Sequence, residues 1–175
     1  MAGSTFDFNP VTHITAGYIG QPGRRVFYLQ ARAETEQLTL IIEKQQLQAL
    51  ALGIQQFLDE VKERTPNLAD PVEDYNPEAM QLQKPVDPAF RVGQMGLAYD
   101  EARDLVVLVA QEIVVEGREA EEGASARLFA TRSQALALSK HSLEIIKQGR
   151  PICGNCGQPI DPSGHFCPKR NGHSH

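Results

Sequence analysis

The residues with the most specific chemistry lie at the C-terminal end of the chain. All three cysteines and three of the five histidines fall between Cys153 and His175. Their spacing includes C-x2-C-x8-H-x-C, and a structural zinc site takes four tetrahedral thiolate or imidazole ligands. The sequence therefore predicts a zinc knuckle, whose ligands would be Cys153, Cys156, His165 and Cys167.

The composition of this tail indicates what a metal would do there. Beyond Ile152, Ile160 and Phe166 the tail has almost no apolar residues, so it cannot build a core of its own. Metal binding would supply the folding free energy of the segment instead. Because protein would fill all four coordination positions, none is left for water or substrate, which favours a structural zinc over a catalytic one.

Alternatives remain for both the cysteines and the fourth ligand. A redox C-x-x-C normally follows a strand and opens a helix that lowers the thiol pKa, whereas this pair follows a predicted helix and opens a loop. A disordered tail with incidental cysteines is the other alternative. His173 competes with His165 as fourth ligand because the spacing C-x5-H is also usable, while the terminal His175 is the weakest candidate.

Candidate functional residues outside the tail carry weaker signals. Arg24 and Arg25 follow a turn rich in Gly and Pro, and Arg103 lies at the corresponding turn of the second half. These arginines could bind a carboxylate or phosphate in a cleft between the halves. The turn lacks G-K-[ST] and a strand follows it, which favours a plain hairpin over a phosphate loop.

No catalytic residue is predicted. His13 and His141 could each act as a general base, but a lone histidine is more often packed or exposed. The chain contains neither G-x-S-x-G nor H-E-x-x-H.

Length and charge limit the class of protein. The chain has 175 residues and is 41% hydrophobic, which suits one domain with a real core plus an appendage. A net charge of −5 argues against broad electrostatic binding to nucleic acid or anionic membranes, although Lys169 and Arg170 keep nucleic acid as a minor alternative. No signal peptide and no apolar run of about 18 residues occurs, so a reducing cytoplasmic location is predicted.

The first half of the chain predicts strands followed by a helix. Two β-prone runs flank the Gly-Pro turn at 20–23, and a third strand is predicted at 38–42. Residues 43–64 show apolar residues at the three-and-four spacing of one helix face. Five prolines then make 65–89 an acidic linker, either an ordered surface segment or an arm that docks a partner.

The second half predicts the same order of elements. Strands are expected at 90–99, 105–115 and 126–130. A helix should open at Thr131 or Ser133 and end at Gly149, which is a typical C-terminal stop signal.

The two halves can be aligned on short stretches of sequence. RRVFYL at 24–29 matches RDLVVL at 103–108, and LIIEKQQ at 40–46 matches LFATRSQ at 128–134. We interpret this as a strand–strand–strand–helix unit present twice, with chance similarity of two amphipathic units as the alternative. The predicted fold is α+β, with antiparallel sheet packed by two helices. The predicted boundaries are a body at 1–150, with half A at 5–64, the linker at 65–89 and half B at 90–149, and a knuckle tail at 151–175.

Three stretches resemble a known family. GQPGRRVFYLQA, LIIEKQQ and CGNCGQPIDPSGHFCPKRNG are similar to an uncharacterised bacterial family, domain of unknown function 3090, found chiefly in actinobacterial-type lineages. The resemblance covers essentially the whole chain. Its shared cysteines and Gly-His-x-Cys-Pro element favour Cys153, Cys156, His165 and Cys167 as ligands, and the ending His173-Ser-His175 departs from the pattern. The resemblance implies no established enzymatic activity and a conventional cytoplasmic protein.

The leading hypothesis is therefore a cytoplasmic, non-enzymatic protein-binding or adaptor module with a structural zinc and no membrane contact. The alternatives are an enzyme with an anion-binding cleft near Arg24, Arg25 and Arg103, or a protein that binds nucleic acid through the knuckle.

Overall fold

The computed structural model of the protein describes residues 4–21, 23–72, 75–114, 117 and 123–148, so the predicted zinc knuckle lies outside the described residues. The strands are β1 (Thr5–Phe8), β2 (His13–Ile19), β3 (Val26–Ala33), β4 (Glu36–Ile42), β5 (Pro88–Asp100), β6 (Leu105–Glu112) and β7 (Ser125–Thr131). The helices are α1 (Lys44–Arg64) and α2 (Arg132–Gln148), with a short 3-10 helix at Pro77–Met80.

The strands form one mixed sheet, in the order β1-β7-β6-β5-β4-β3-β2. β2, β3 and β4 are antiparallel neighbours followed by α1, and β5, β6 and β7 are antiparallel neighbours followed by α2. The α+β class and the repeated strand–strand–strand–helix order are thus confirmed. The pairs that join the units, β4 with β5 and β1 with β7, are parallel, whereas the predicted sheet was antiparallel.

The sheet closes on itself because β1 and β2 act as one interrupted strand. At the interruption the N–H of Val11 donates to the carbonyl of Phe129 on β7 at 2.8 Å. The next N–H, that of Thr12, donates to the carbonyl of Arg32 on β3 at 2.7 Å. Successive N–H groups of a strand point to opposite sides, so β7 and β3 flank this segment and the sheet becomes a barrel. The sequence pattern did not indicate β1, so this closure was not predicted.

The hydrogen-bond register repeats as the sequence alignment predicts. Phe27 pairs with Ile42 in the first unit, and the aligned residues Val106 and Ala130 pair in the second. The register also repeats where the units join. Leu40 lies opposite Phe90 at the β4–β5 junction, and at the β1–β7 junction the residues opposite each other are Phe8 and Leu128.

Both helices begin with the same reciprocal cap. The side chain of Gln46 accepts from the N–H of Glu43 at 2.8 Å, and that of Gln134 accepts from the N–H of Thr131 at 2.9 Å. The Glu43 and Thr131 side chains accept in return from the backbone three residues on, which identifies Thr131 as the cap of α2. Both glutamine amides also donate to strand carbonyls at the junctions, namely those of Val92, Gly93, Val11 and Thr12.

One apolar cluster joins the inner face of the sheet to both helices. Its fully buried members include Leu29, Leu40, Leu47, Ile54, Leu128 and Leu138. The helices also contact each other directly, since the hydroxyl of Ser139 donates to the carbonyl of Ala51 at 2.6 Å. Ala51 and Ser139 occupy the same position after the two caps, so the approximate twofold axis that relates the units passes between them.

The linker packs along the outer face of the first unit. Thr15 donates to the carbonyl of Met80 at 2.6 Å, and the amide of Gln30 makes two hydrogen bonds to the backbone of Gln83. Met80 is buried. Residues 75–87, which we call the strap, are therefore an ordered surface segment.

Replacing Gln46 by Ala should lower the free energy of unfolding by about 1 to 2 kcal/mol, because the cap and the bonds to β5 are lost together. Gln134→Ala should act in the same direction at the other junction. Urea denaturation of the full chain measures both. Gln48→Ala, at an exposed position of α1, is the control and should change stability by less than about 0.5 kcal/mol. Equal stability of Gln46→Ala and Gln48→Ala would contradict the role of the cap.

Candidate functional site

A cleft of about 440 Å³ lies between β2, α2 and the strap, and we call it the strap cleft. Apolar groups of Ala16, Met80 and Ile145 line part of it. Lys84 and Gln148 are among its polar lining residues. Its size falls in the range of about 300 to 1,000 Å³ that is typical of ligand sites.

The cleft exists because β2 uses only one of its edges for strand pairing within the described sheet. Residues 13–19 pair with β3, and α2 and the strap lie along the other side. A close contact fixes the strap there, since a methyl group on Gly17 would lie 2.5 Å from Cγ of Leu82. A larger residue at position 17 would require the Leu82 side chain to shift.

His141 of α2 holds the strap against β2. Its Nδ1 lies 2.8 Å from the hydroxyl of Tyr75, and the rings meet edge to face at 5.7 Å between centroids. Burial lowers the pKa of His141, partly offset by a hydrogen bond to the carbonyl of Ala16 and by the charge of Glu144. The imidazole is therefore neutral at pH 7, with Tyr75 donating to Nδ1. Both ring nitrogens have partners, so His141 is a positioning residue in this conformation.

Arg25 fixes the β2–β3 hairpin to the end of α2. Its guanidinium lies 4.5 Å from the ring centroids of both Tyr18 and Phe27. One of its N–H groups donates to the carbonyl of Ile145 at 2.9 Å, in the last turn of α2. A cation is favourable at the C-terminal end of a helix and over aromatic faces, so the contacts of Arg25 stabilise the fold. Arg24 is exposed on the same hairpin.

The structure does not bring Arg25 and Arg103 into one cleft. Arg103 donates to Asp100 at 2.8 Å and to Asn9 at 2.7 Å. Its neighbour Asp104 forms a bidentate pair with Arg132, the first residue of α2. Arg25 meets the other end of α2, and 13 residues of helix at about 1.5 Å each place the two ends roughly 20 Å apart.

His13, the other predicted candidate base, lies beside the cleft on β2. Burial lowers its pKa, and the charge of Arg32 lowers it further. Its Nε2 is buried and has no hydrogen-bond partner in the described part of the chain. The sequence identified His13 and His141 but missed Tyr75 and Lys84, because a proline-rich linker has no periodicity that indicates which side chains face inward.

The predicted zinc ligands Cys153, Cys156, His165 and Cys167 lie outside the described residues. Within those residues, no group of three or more His, Cys, Asp or Glu side chains is placed to hold a metal ion. No helix in that part of the chain is long and apolar enough to cross a membrane.

Fold and cleft together define an α+β protein built from two repeated units, with a strap across one of them. The chain belongs to the family described as protein of unknown function (DUF3090), whose sequence model matches residues 6–167. This confirms the family resemblance found in the sequence, and the match extends into the tail as far as Cys167. No curated protein and no solved structure matches the chain.

The lowered pKa of His141 predicts that acid destabilises the fold. The unfolded state takes up a proton near pH 6.5 and the folded state only at lower pH, so this contribution to stability is complete above about pH 6.5 and is lost as the pH falls through the folded pKa. Urea unfolding at about pH 7.5 and 5.5 should show a smaller pH-dependent loss for His141→Gln than for wild type.

His13 also has a lowered pKa and contributes in the same direction, so His13→Gln is the companion variant and the double variant should show the smallest loss. Glu144 and Tyr75 face His141 and stay unchanged in all variants. An unchanged pH dependence in His141→Gln would show that this histidine does not titrate as argued.

Proposed function

We propose that the protein is a cytoplasmic, non-enzymatic binding or adaptor module, which takes a short segment of a partner protein in the strap cleft and carries a structural zinc in its tail. The observation that supports this proposal is the strap cleft itself. Its histidine is already bonded to Tyr75 and Ala16, so the cleft offers a shaped surface without a free proton acceptor at that histidine.

The lining indicates the chemistry of the partner segment. Lys84 is the one Lys or Arg among the described lining residues, and those residues include no Asp or Glu. An apolar side chain would contact Ala16, Met80 and Ile145 while a neighbouring carboxylate faces Lys84. Burial of the apolar group, at about 25 cal/mol per Å², would provide most of the affinity, and the exposed charge pair at most about 1 kcal/mol.

Selection from a random heptapeptide library on immobilised protein tests this assignment. Wild type should enrich peptides in which an apolar residue neighbours a carboxylate, and Lys84→Glu should weaken their binding about tenfold because the charge is reversed. Lys44→Glu, on α1 and away from the cleft, is the matched control and should bind as wild type does. Equal affinities of the two variants, or no enrichment, would contradict the proposal.

The zinc assignment is supported by the donor set. Three thiolates and one imidazole suit tetrahedral Zn²⁺ in a reducing compartment, and the family match runs through all four proposed ligands. When bound, the metal would supply folding free energy to a segment with few apolar residues. The protein residues that would hold it are Cys153, Cys156, His165 and Cys167.

Protein purified without added metal should contain one zinc per chain, and Cys153→Ser/Cys156→Ser should contain none. Elemental analysis measures both. His165→Ala should lose the metal, whereas His173→Ala should keep it, because His173 departs from the proposed ligand set. A metal-free wild type with titratable thiols would remove the zinc assignment and favour thiol chemistry.

A second candidate function, an enzyme that uses the strap cleft, is favoured by one observation. A histidine of lowered pKa lines a cleft next to the hairpin that carries Arg25. Catalysis would require His141 to exchange its bond with Tyr75 for one with a substrate. Retained peptide binding in His141→Gln would favour the binding module over this alternative.

A further inference from the structure

The strap cleft has a counterpart in the other half of the barrel. An apolar groove of about 280 Å³ lies between α1 and β5, and we call it the α1–β5 groove. It is lined by Ala49, Leu50, Gly53, Met95, Gly96 and Leu97. It lacks a described covering segment, whereas the strap covers part of the cleft between α2 and β2.

The repeat relates the two sites at two lining positions, one on the helix and one on the strand. Gly53 lies ten residues after the cap Glu43, and His141 lies ten residues after the equivalent cap Thr131. Gly53 therefore holds in α1 the position that His141 holds in α2. Strand register makes the same connection, because Ala16 lies opposite Leu29 in the first unit and the corresponding pair in the second unit is Leu97 with Leu108. The α1–β5 groove therefore overlaps the twofold equivalent of the strap cleft at these two positions.

The two sites differ in what lies over them. His141 meets Tyr75 of the strap, whereas a methyl group added to Gly53 or Gly96 would meet nothing within 4 Å. Leu52 beside the groove is 51% exposed. Residues 92–100 pair only with β6 within the described sheet, so the groove also borders an open strand edge. Proteins usually cover such an edge.

We infer that the C-terminal tail of the same chain, residues 149–175, covers the α1–β5 groove. The segment that follows α1 crosses to the cleft between β2 and α2. In the twofold relation between the units, the segment that follows α2 is equivalent to this segment. The groove between β5 and α1 is the place where that equivalent segment would lie. The inference does not require zinc, because apolar side chains make the contact.

Length and spacing fit this assignment. Tyr75 and Leu82, which line the strap cleft, lie 11 and 18 residues beyond Arg64, the end of α1. Ile160 and Phe166 lie 12 and 18 residues beyond Gln148, the end of α2. Twelve extended residues reach about 40 Å, comparable with the diameter of a body of this size.

Charge fits as well. The tail from Gly149 carries a net charge of +2, and because the whole chain carries −5, the remainder carries −7. Attraction between the two would hold the tail near the body and raise its effective concentration at the groove.

Hydrogen exchange on the full chain tests the inference. In Ile160→Ser/Phe166→Ser, the amides of residues 92–98 should exchange about tenfold faster than in wild type, because the covering segment is released. Gly53→Phe should have the same effect by filling the groove, since a methyl group at Gly53 would meet nothing within 4 Å. Gln158→Ser/Asn171→Ser is the matched control in the tail, and the amides of β2 are the internal control. Both should exchange as in wild type.

Equal exchange at residues 92–98 in all variants would overturn the inference. Protection that rises with protein concentration, together with a dimer in analytical ultracentrifugation, would assign the groove to a second copy and would also overturn it. Metal analysis of the same samples separates this inference from the zinc proposal. Faster exchange in the variants, with no zinc in wild type, would support the docked tail and contradict the zinc proposal. Equal exchange in all variants, with one zinc per chain in wild type, would contradict the docked tail and support the zinc proposal.

Discussion

The backbone hydrogen bonds of Val11 and Thr12 determine how the rest of the structure is arranged. These consecutive N–H groups bind β7 on one side and β3 on the other, so one short segment joins the two ends of the sheet. Without it, the sheet would be open and would end in one unpaired edge on each of the two units. The capping glutamines Gln46 and Gln134 donate to carbonyls at the two junctions, so the start of each helix is fixed to the place where the units meet.

Closure of the barrel also determines where the two grooves lie. β5 and the β1–β2 strand each pair with one neighbour over their first part and with another over their second, so each leaves an edge without a strand partner in the described sheet. A helix lies beside each of these edges. Two grooves follow from the topology alone. Their chemistry depends on the side chains of the helix and on the segment that crosses them.

The repeat and the main elements could be predicted because their physical signals are local. The apolar face of α1, including Leu47, Ile54 and Leu58, follows helical spacing, and all three residues are buried. The closure could not be predicted, because β1 has only four residues and its partner lies more than 100 residues away in sequence. His141 was identified as a candidate base, but its role depends on Tyr75, which lies in a linker without periodic pattern. Arg25 and Arg103 were predicted to lie near one cleft. Arg25 instead contacts the C-terminal end of α2, and Asp104, next to Arg103, pairs with Arg132 at its N-terminal end.

His141 and Gly53 occupy equivalent helix positions, but the two grooves beside them differ in what lies over them. A glycine inside a helix costs roughly 0.5 to 1 kcal/mol relative to alanine. At Gly53 no described neighbour requires that cost, since a methyl group would meet nothing within 4 Å. At Gly17 the neighbour is described, because Leu82 of the strap occupies the space that a side chain would need. An occupant of the α1–β5 groove that approaches the helix as closely as Leu82 approaches β2 would explain why residue 53 has no side chain.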